Sequence, residues 1–356
     1  MLTIPSKINI SQTKESKINQ VDFENLAFGK VFSDHMFVAE YKNGAWGDLS
    51  IEPYGPLSMS PATSVIHYGQ SVFEGMKAYR MDSGDISFFR PEENMNRLNA
   101  SAVRMGMPEL PFEIFKEGLN ALVKMDKAWV PKKPGASLYI RPFMFATDEY
   151  IGVRSSDTYK FIIITSPVLK YYDKPVKVKI EETFSRAVPG GVGEAKAAGN
   201  YAASLYPAAQ GKKEGYDQLV WTDAKDHKNI EESGTMNIMF VVDGVVYTPK
   251  LTGSILRGIT RKSVITLLES WGVEVKQIDV SVDFVIDAIK QGKLTEAFGV
   301  GTAATIAQIK VIGFRGTDFE LAEVNTRTIS LKVSDYFAKL KSGVSQDEFS
   351  WMEGLK

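Results

Sequence analysis

One lysine stands alone in a stretch of small residues, and it is the first candidate for chemistry. Lys196 lies within residues 190–201, a stretch that contains four glycines and no other lysine or arginine. Glycines permit the backbone angles of a tight cradle, and small side chains let a bulky group lie close to the backbone. A lysine held in this way can lose its proton and attack a carbonyl carbon to form a Schiff base. On this stretch alone, a flexible loop with a solvated lysine is the alternative interpretation.

Two commoner glycine-loop motifs do not fit the sequence. A Walker A motif needs a Ser or Thr directly after the lysine, but Ala197 follows Lys196, and a dinucleotide fingerprint needs a small residue where Lys196 stands. A second glycine motif, residues 299–304, has the G-x-G-x-x-A spacing of that fingerprint. The next residues, 305–312, are rich in β-branched side chains, which predicts a strand where the fingerprint requires a helix. We therefore predict an anion-binding loop at residues 299–304, with a nucleotide site as the alternative.

Other residues suit an anion and a ring nitrogen. Ile259 and Thr260 begin a predicted helix, whose N-terminus attracts anions, and Arg90 is either a cation for a phosphate or a surface arginine. Glu231 and Glu232 precede a predicted strand. We interpret one of them as a solvated loop acid and the other as the partner of a protonated pyridine nitrogen. A lysine, an anion cradle and a carboxylate are together what pyridoxal 5′-phosphate (PLP) requires.

The periodicity of apolar residues predicts the elements that position these groups. Strands are predicted at residues 35–41, 76–81, 86–89, 137–146, 159–165, 176–181 and 218–222, with two more in each of the ranges 237–248 and 297–312. Helices are predicted from Pro91 to before Pro108 and at residues 112–129, 199–211, 257–271, 281–291 and 325–341. Asp243-Gly244 predicts a type I′ hairpin turn. Because strands and helices mix without regular alternation, an α+β fold with mixed sheets and flanking helices is favoured.

The length of 356 residues predicts two domains. We expect an N-terminal arm at residues 1–30, a small α+β domain at 31–167, a linker at 168–175 and a large cofactor-binding domain at 176–356. The net charge of −1 gives no electrostatic reason to expect nucleic acid or a membrane surface as partner. There are no cysteines and only three scattered histidines, so no metal site is expected. The first residues carry no pattern of a signal or transit peptide, and we expect a cytoplasmic protein.

Several stretches occur together in one order along residues 30–340. They are His67-Tyr68-Gly69-Gln70-Ser71-Val72-Phe73-Glu74-Gly75-Met76-Lys77, Phe89-Arg90-Pro91, Asn94-Met95, Arg97-Leu98, Tyr139-Ile140-Arg141-Pro142, Lys196, Gly199-Asn200-Tyr201, Glu232-Ser233-Gly234-Thr235-Met236-Asn237 and residues 299–303. In this combination the chain resembles the branched-chain amino acid aminotransferases, which are PLP enzymes of fold-type IV and class IV aminotransferases. A Cys-x-x-Cys pair that some relatives carry is absent, since Ala304 and Ala307 occupy that region.

The resemblance implies a role for each cofactor-binding residue. Lys196 forms the internal aldimine and moves the proton between the amino acid α-carbon and the cofactor. Glu232 pairs with the pyridine nitrogen, and Tyr201 contacts the phenolic oxygen. The phosphate is implied to bind Arg90, Ile259, Thr260 and Thr302.

The resemblance also implies a substrate pocket. The backbone of Thr302 and Ala303 and the Tyr139 hydroxyl receive the α-carboxylate of the substrate. The apolar side-chain pocket is implied to be walled by Tyr68, Phe73, Tyr171 and Tyr201. Arg141 follows Tyr139 by two residues on the same strand face, so it can bind the second carboxylate of glutamate in bidentate fashion. A structural role for Arg141 is the alternative, and Lys77 is then the next cation to consider.

The activity implied is reversible, ping-pong transfer of the amino group between L-leucine, L-isoleucine or L-valine and 2-oxoglutarate, giving branched-chain 2-oxo acids and L-glutamate. A homodimer is implied as well, with the small domain of one subunit bordering the other's site. The alternatives are a D-amino-acid aminotransferase or an aminodeoxychorismate-lyase-like enzyme, and a PLP-binding protein without turnover. D-specific relatives carry an Arg-x-His pair where this chain has Arg141-Pro142-Phe143.

Overall fold

Residues 7–169 and 174–356 are described by the computed structural model of this chain, and they form two compact units. The N-terminal unit comprises the described part of Met1–Tyr171 together with Ala195–Gly199 and Lys339–Lys356. The C-terminal unit comprises the described part of Tyr172–Glu194 together with Asn200–Ala338. Part of the predicted arm (1–30) and of the predicted linker (168–175) lies outside the described residues, and the predicted domain limits stay predictions.

The N-terminal unit is built on a nine-stranded mixed sheet, with strands numbered here in chain order over the whole protein. Its strands are β1 (Asn9–Ile10), β2 (His35–Lys42), β3 (Ala45–Pro53), β4 (Ser71–Phe73), β5 (Met76–Arg80), β6 (Ile86–Phe89), β7 (Ser137–Ala146), β8 (Tyr159–Val168) and β19 (Met352–Gly354). The order is β1-β3-β2-β8-β7-β5-β6-β19, with β4 also paired to β7. Only β1 and β3 pair in parallel among these strands.

Alternation along these strands gives the sheet two different faces. Three helices belong to this unit: α1 (Ser64–Tyr68), α2 (Pro91–Arg104) and α3 (Phe112–Met125). On β7, Leu138 and Ile140 are buried in one core with Leu98 of α2. Tyr139 and Arg141 alternate with them and therefore lie on the opposite face. That face also buries a second, smaller apolar cluster of Met36, Val38, Phe145 and Ile162. The candidate site of this unit lies where the same face carries Tyr139 and Arg141.

The C-terminal unit contains a ten-stranded mixed sheet. Its strands are β9 (Val176–Ile180), β10 (Gln218–Thr222), β11 (Asn229–Ser233), β12 (Asn237–Val242), β13 (Val245–Pro249), β14 (Val275–Ile278), β15 (Val280–Ser281), β16 (Leu294–Gly301), β17 (Thr305–Phe314) and β18 (Thr317–Glu320). The order is β14-β13-β12-β16-β17-β9-β10-β11-β15, and β18 pairs with β17. The other α-helices within residues 7–169 and 174–356 are α4 (Ala198–Lys213), α5 (Ile259–Ser270), α6 (Val282–Lys290) and α7 (Ile329–Ser342).

The prediction of an α+β fold with mixed sheets is confirmed, and local signals located most elements. Asp243 and Gly244 both have positive φ values, 49° and 79°, as a type I′ turn between β12 and β13 requires. The prediction that α3 reaches residue 129 was wrong, because the helix ends at Met125 and a 3₁₀ turn follows. Helix α1 and the strands β1, β3, β4, β11, β14, β15, β18 and β19 were not predicted. Within the described residues no helix is long and apolar enough to cross a membrane.

The close packing of α3 on β2 generates a test of the N-terminal core. Gly118 is buried, and a Cβ added to it would lie 2.5 Å from Cε1 of Phe37, which is fully buried. Gly118→Val should therefore lower the free energy of unfolding by about 1–3 kcal/mol through overpacking. Glu117→Val, which introduces the same side chain at an exposed position of the same helix, is the matched control. Urea unfolding of both variants measures the difference, and equal losses would contradict the packing argument.

Candidate active site

The lysine predicted to do chemistry is held by ordered backbone on both sides. The Lys196 amide donates to Oγ of Ser101 on α2 at 2.9 Å, and the Lys196 carbonyl accepts from the Phe73 amide at 3.0 Å. The next residue, Ala197, forms a bridge with Val72 of β4 before α4 begins. These contacts contradict the alternative of a flexible loop with a solvated lysine, since Lys196 itself is half-buried. Its position is therefore fixed relative to α2 and β4.

One aromatic ring lies beside two cations of the N-terminal unit. Nζ of Lys196 lies 4.9 Å from the centroid of the Phe73 ring, and Cζ of Arg141 lies 4.5 Å from it. Such cation–π contacts stabilise each positive charge by about 0.5–2 kcal/mol, more when water is excluded. Phe73 therefore helps to position both Lys196 and Arg141. Tyr68, a further predicted pocket residue, lies on α1 and is 41% exposed.

Tyr139 and Arg141 form a connected pair on β7. Nη2 of Arg141 donates to the Tyr139 hydroxyl oxygen at 2.9 Å, and Nε lies at 3.3 Å from the same oxygen. Because the hydroxyl oxygen accepts from Arg141, its own proton remains available for another acceptor. Gly75 lies so near that an added Cβ would be 2.4 Å from this oxygen. A side chain at position 75 would displace Tyr139, so glycine is required there. On the adjacent strand, Lys77 is the cross-strand neighbour of Tyr139 and is buried.

A fully buried carboxylate follows Phe73. Glu74 accepts from Arg97 at 2.7 and 2.9 Å, from Nδ2 of Asn94 at 2.7 Å and from the Gly75 amide at 3.1 Å. Burial alone would raise the pKa of Glu74. That effect is outweighed by the charge and hydrogen bonds of Arg97, the charge of Lys196 and the hydrogen bond from Asn94. Together they lower the pKa of Glu74. Glu74 is therefore an ionised counter-charge on the Lys196 side of the unit.

Arg90 caps the start of α2 in an unusual backbone conformation. Its φ is +50°, which costs energy for a residue other than glycine. Its side chain pairs with Glu93 at 2.9 Å, and its guanidinium lies 5.6 Å from the ring centroid of Trp351. The Arg90 amide donates to the Trp351 carbonyl at 2.8 Å. A strained backbone that is so well supported is typical of functional positions.

In the C-terminal unit, the two adjacent acids lie on β11 and differ in their partners. Glu232 is buried, with Oε1 accepting from Nδ2 of Asn237 at 3.2 Å and Oε2 paired with the Arg186 guanidinium. Glu231 is also buried and accepts from the Ser254 hydroxyl, and burial raises its pKa. The expectation that one of them is a solvated loop acid was wrong, because both belong to a strand inside the unit.

Glu232 borders a cleft of the C-terminal unit that also contains Tyr201. The lining residues are Arg186, Asn200, Tyr201, Ser204, Glu232, Gly234, Thr235 and Leu256. Of the residues predicted to bind a cofactor, Glu232 and Tyr201 are thus brought together. Within the same unit, Ile259 and Thr260 open α5, where unpaired backbone N–H groups favour an anion. Gly258 precedes them so closely packed that an added Cβ would lie 1.9 Å from Oδ1 of Asn237.

Thr302 and Ala303 lie in the turn that joins β16 to β17. Because Thr305–Phe314 is a strand, the alternative of a dinucleotide fingerprint at residues 299–304 is wrong, as that motif opens a helix. The structure thus leaves a hairpin turn at residues 302–304, with Gly301 at the end of the preceding strand. Tyr171, predicted to line the substrate pocket, lies outside the described residues.

Three charged residues of these sites were not assigned a role from the sequence. Glu74 and Arg97 were noted only as parts of a resemblance, and Arg186 was not considered. Glu74 and Arg97 lie 23 residues apart, and Arg186 and Glu232 lie on different segments of the chain. No local spacing therefore reveals either pair. A signal did exist for Glu74, since a charged residue inside an apolar strand region requires a buried partner.

Comparisons with known proteins match these features. The family model described as "Amino-transferase class IV" matches residues 71–312. The chain is 46% identical over 349 residues to branched-chain-amino-acid aminotransferase 2 of Bacillus subtilis (strain 168), covering 97% of this chain and 95% of the relative. It is 42% identical to a probable branched-chain-amino-acid aminotransferase of Streptomyces coelicolor, covering 99% of this chain and 97% of the relative.

Solved structures of branched-chain aminotransferases resemble this chain in fold. A branched-chain amino acid aminotransferase from Escherichia coli superposes with a TM-score of 0.73 at 26% identity, covering 91% of this chain and 99% of that one. A branched-chain aminotransferase from Thermoproteus uzoniensis, solved with norvaline, gives a TM-score of 0.75 at 25% identity, covering 90% and 100%. The predicted fold-type IV architecture is confirmed by this likeness.

The buried pair of Glu74 and Arg97 generates a test by pH. Arg97→Met leaves the Glu74 charge buried without its cation, which should lower the free energy of unfolding by about 3–5 kcal/mol near pH 7. Without the cation, burial raises the pKa of Glu74, so Glu74 takes up a proton as the pH falls and the deficit shrinks. In the wild type the pKa of Glu74 is lowered, so the stabilisation by the Glu74–Arg97 pair is present at neutral pH. It is lost only as the pH falls below the ordinary pKa of a glutamate.

Urea unfolding of wild type and Arg97→Met at about pH 7 and pH 5 measures this difference. Arg154→Met is the control, because it removes an exposed ion pair with Asp148 and Asp157 and should have a small effect at both pH values. A deficit for Arg97→Met that is the same at both pH values would show that lost packing, not the unpaired Glu74 charge, accounts for it.

Proposed function

Since this chain belongs to the class IV aminotransferases, among them the branched-chain amino acid aminotransferases, we propose that it transaminates L-leucine, L-isoleucine and L-valine with 2-oxoglutarate. The products are the branched-chain 2-oxo acids and L-glutamate. The two half-reactions share one site and follow one another in a ping-pong order. The observation that carries the proposal is the ordered position of Lys196, with its amine beside Phe73 and its backbone bound to α2 and β4.

The cofactor of this enzyme is PLP. The residues present fit it: a buried, paired carboxylate borders a cleft beside a tyrosine, and the N-terminus of α5 offers backbone N–H groups to an anion. The buried Nε of Arg186 has no hydrogen-bond partner among the described residues, as expected beside a site for a polar group. Bound PLP supplies an electron sink for the substrate α-carbon.

The chain's own residues then hold and move charge around the cofactor. We propose that Lys196 carries the cofactor covalently and transfers the proton at the substrate α-carbon. Glu232 binds the pyridine nitrogen and Tyr201 the phenolic oxygen. The phosphate is assigned to Arg90, Ile259, Thr260 and Thr302. A carboxylate held ionised by Arg186 suits a protonated ring nitrogen, since opposite charges favour one another.

The substrate contacts that we propose follow from the Tyr139–Arg141 pair. The Tyr139 hydroxyl donates its proton to the substrate α-carboxylate, together with the backbone N–H groups of Thr302 and Ala303. Tyr68, Phe73, Tyr171 and Tyr201 form the apolar wall for branched side chains. Arg141, held against Phe73 and Tyr139, receives the second carboxylate of glutamate or 2-oxoglutarate.

The homodimer and the cytoplasmic location expected from the sequence are parts of the same proposal. Light scattering of the purified holoenzyme tests whether it is a homodimer.

A panel of L- and D-amino acids assayed with 2-oxoglutarate tests the activity. Turnover of L-leucine, L-isoleucine and L-valine, without turnover of their D-enantiomers, is expected. Turnover of D-amino acids would favour the D-specific alternative, and cofactor binding without any turnover would favour a binding protein.

The attachment point of the cofactor is a separate prediction. Borohydride reduction of the holoenzyme, followed by digestion and mass spectrometry, should locate the pyridoxyl label on Lys196. Lys212 and Lys213, at the end of helix α4, which begins two residues after Lys196, serve as internal controls and should stay unlabelled. Lys196→Arg should yield no label. A label on another lysine in the wild type would contradict the assignment of Lys196.

The dual use of the substrate pocket gives the last prediction of this section. Burying the second carboxylate of glutamate without a partner is costly, and a charged hydrogen bond contributes about 1.5–3 kcal/mol. Arg141→Met should therefore raise KM for glutamate and 2-oxoglutarate by about ten- to hundredfold, with a much smaller change for leucine. Half-reactions with leucine and with glutamate, measured separately, isolate the effect.

Equal losses in both half-reactions would mean that Arg141 acts through Tyr139 or the fold. Lys77→Met is the comparison variant, because Lys77 is the cross-strand neighbour of Tyr139 on the same face. Selective loss with Lys77→Met, and not with Arg141→Met, would reassign the cation.

A further inference from the structure

We propose that Arg186 is a positioning residue that holds Glu232 as a carboxylate and thereby keeps the proton shared with the bound cofactor on the pyridine nitrogen. The inference rests on the proposed function and deepens it. Arg186 lies between β9 and the Lys196 segment, at a position to which neither the sequence motifs nor the family resemblance assigned a role. It would act on the reacting atoms only through Glu232.

The contacts of Arg186 are made inside the C-terminal unit. Its guanidinium forms an ion pair with Oε2 of Glu232, and only 9% and 4% of the two side chains are exposed. Nη2 also donates to the carbonyl of Gly193 at 3.1 Å and to the carbonyl of Ser254 at 2.5 Å. Both residues, Arg186 and Glu232, line the cleft that contains Tyr201. The position of the guanidinium is therefore fixed by two backbone carbonyls as well as by the carboxylate.

The charge of Arg186 decides which form of Glu232 is stable. A carboxyl as buried as Glu232 would favour its neutral form if it had no cation, because burial penalises charge. A guanidinium stays protonated under all physiological conditions, so an ion pair with it stabilises the carboxylate. A proton shared between that carboxylate and a ring nitrogen then lies on the nitrogen, the more basic partner. The charged ring is the better electron sink for the substrate.

The other charged groups near Glu232 do not stabilise its carboxylate form as Arg186 does. Arg261 is buried and feels the charge of Glu232, but it donates to the Pro249 carbonyl at 2.9 Å and to Gln277 at 3.0 Å. Burial lowers the pKa of Arg261, and the charge of Glu232 acts in the opposite direction. Glu231 accepts from Ser254, and burial raises its pKa, although the Ser254 hydrogen bond and the charge of Arg186 act in the opposite direction. Arg186, by contrast, is in direct ion-pair contact with Glu232.

A purely structural role for Arg186 is the competing explanation, since its bonds to Gly193 and Ser254 also connect two segments of backbone. That role predicts weaker cofactor binding and lower stability when Arg186 is changed. It does not predict any change in the protonation of the cofactor that does bind. The position of the proton is thus the property that separates the two explanations.

The experiment is ¹⁵N NMR of the enzyme reconstituted with PLP labelled at the ring nitrogen. In the wild type at about pH 7.5 the nitrogen should give the signal of the protonated form. In Arg186→Met and Arg186→Gln it should give the unprotonated signal, as in Glu232→Gln, and kcat should fall about ten- to hundredfold. Arg186→Lys, which keeps the charge, should retain the protonated signal. Glu231→Gln, the change at the adjacent buried acid, should leave the signal unchanged.

Each other result has a definite meaning. A protonated nitrogen in both neutral variants would overturn the proposal and leave Arg186 a structural residue. Failure of both neutral variants to bind labelled PLP would also overturn it, because Arg186 would then act in binding. If the wild type itself bound no PLP or transferred no amino group, the proposed function would fail, and that outcome is read from the wild type alone.

Discussion

The need to neutralise buried charge governs this structure. Glu74 lies fully buried against Arg97, and Glu232 against Arg186. A third buried acid, Glu296 of β16, accepts from the backbone N–H groups of Thr328, Ile329 and Ser330 at the start of α7. In each case an acid that would be costly alone is stabilised by a fixed cation or by a helix N-terminus. Two of these acids border proposed catalytic groups, so in the proposed mechanism the pairing that makes burial tolerable also sets the charge of the site.

The sheet of the N-terminal unit adds a second constraint, because its two faces serve different purposes. One face is filled by apolar side chains from the strands and from α2 and α3. The other presents Tyr139 and Arg141, with the arginine in a cation–π contact with Phe73. The position of Tyr139 and Arg141 depends on the larger apolar core behind them, since a shift of one residue in register would move both side chains to the other face. Packing and chemistry are thus coupled through strand alternation.

Local signals in the sequence were sufficient for much of the fold. Asp243-Gly244 specified its turn because few other residues accept positive φ at both positions, and Pro91 marked the start of α2 because its ring suits a first helical turn. Strand β3 escaped prediction since it contains Gly47 and Asp48, residues that strands usually avoid, and pairing with β2 overrides that preference. The pairs Glu74–Arg97 and Glu232–Arg186 escaped too, because each depends on elements that only the tertiary fold brings together. The candidate site was therefore predictable where the motifs are local, and its electrostatic support was not.

The N-terminal unit is discontinuous along the chain, and this affects how a new molecule is made. Besides its main part, it includes the short segment with Lys196 and the end of the chain from Lys339 onward. Strand β19 pairs with β6, and the Trp351 carbonyl accepts from the amide of Arg90. Residues that are synthesised far apart in time therefore share one sheet. Contacts of such long sequence separation form late and slowly. A ribosome-bound chain thus carries an unfinished sheet with an unpaired β6 edge until residues 352–354 emerge, and an unpaired edge of this kind can pair with another chain.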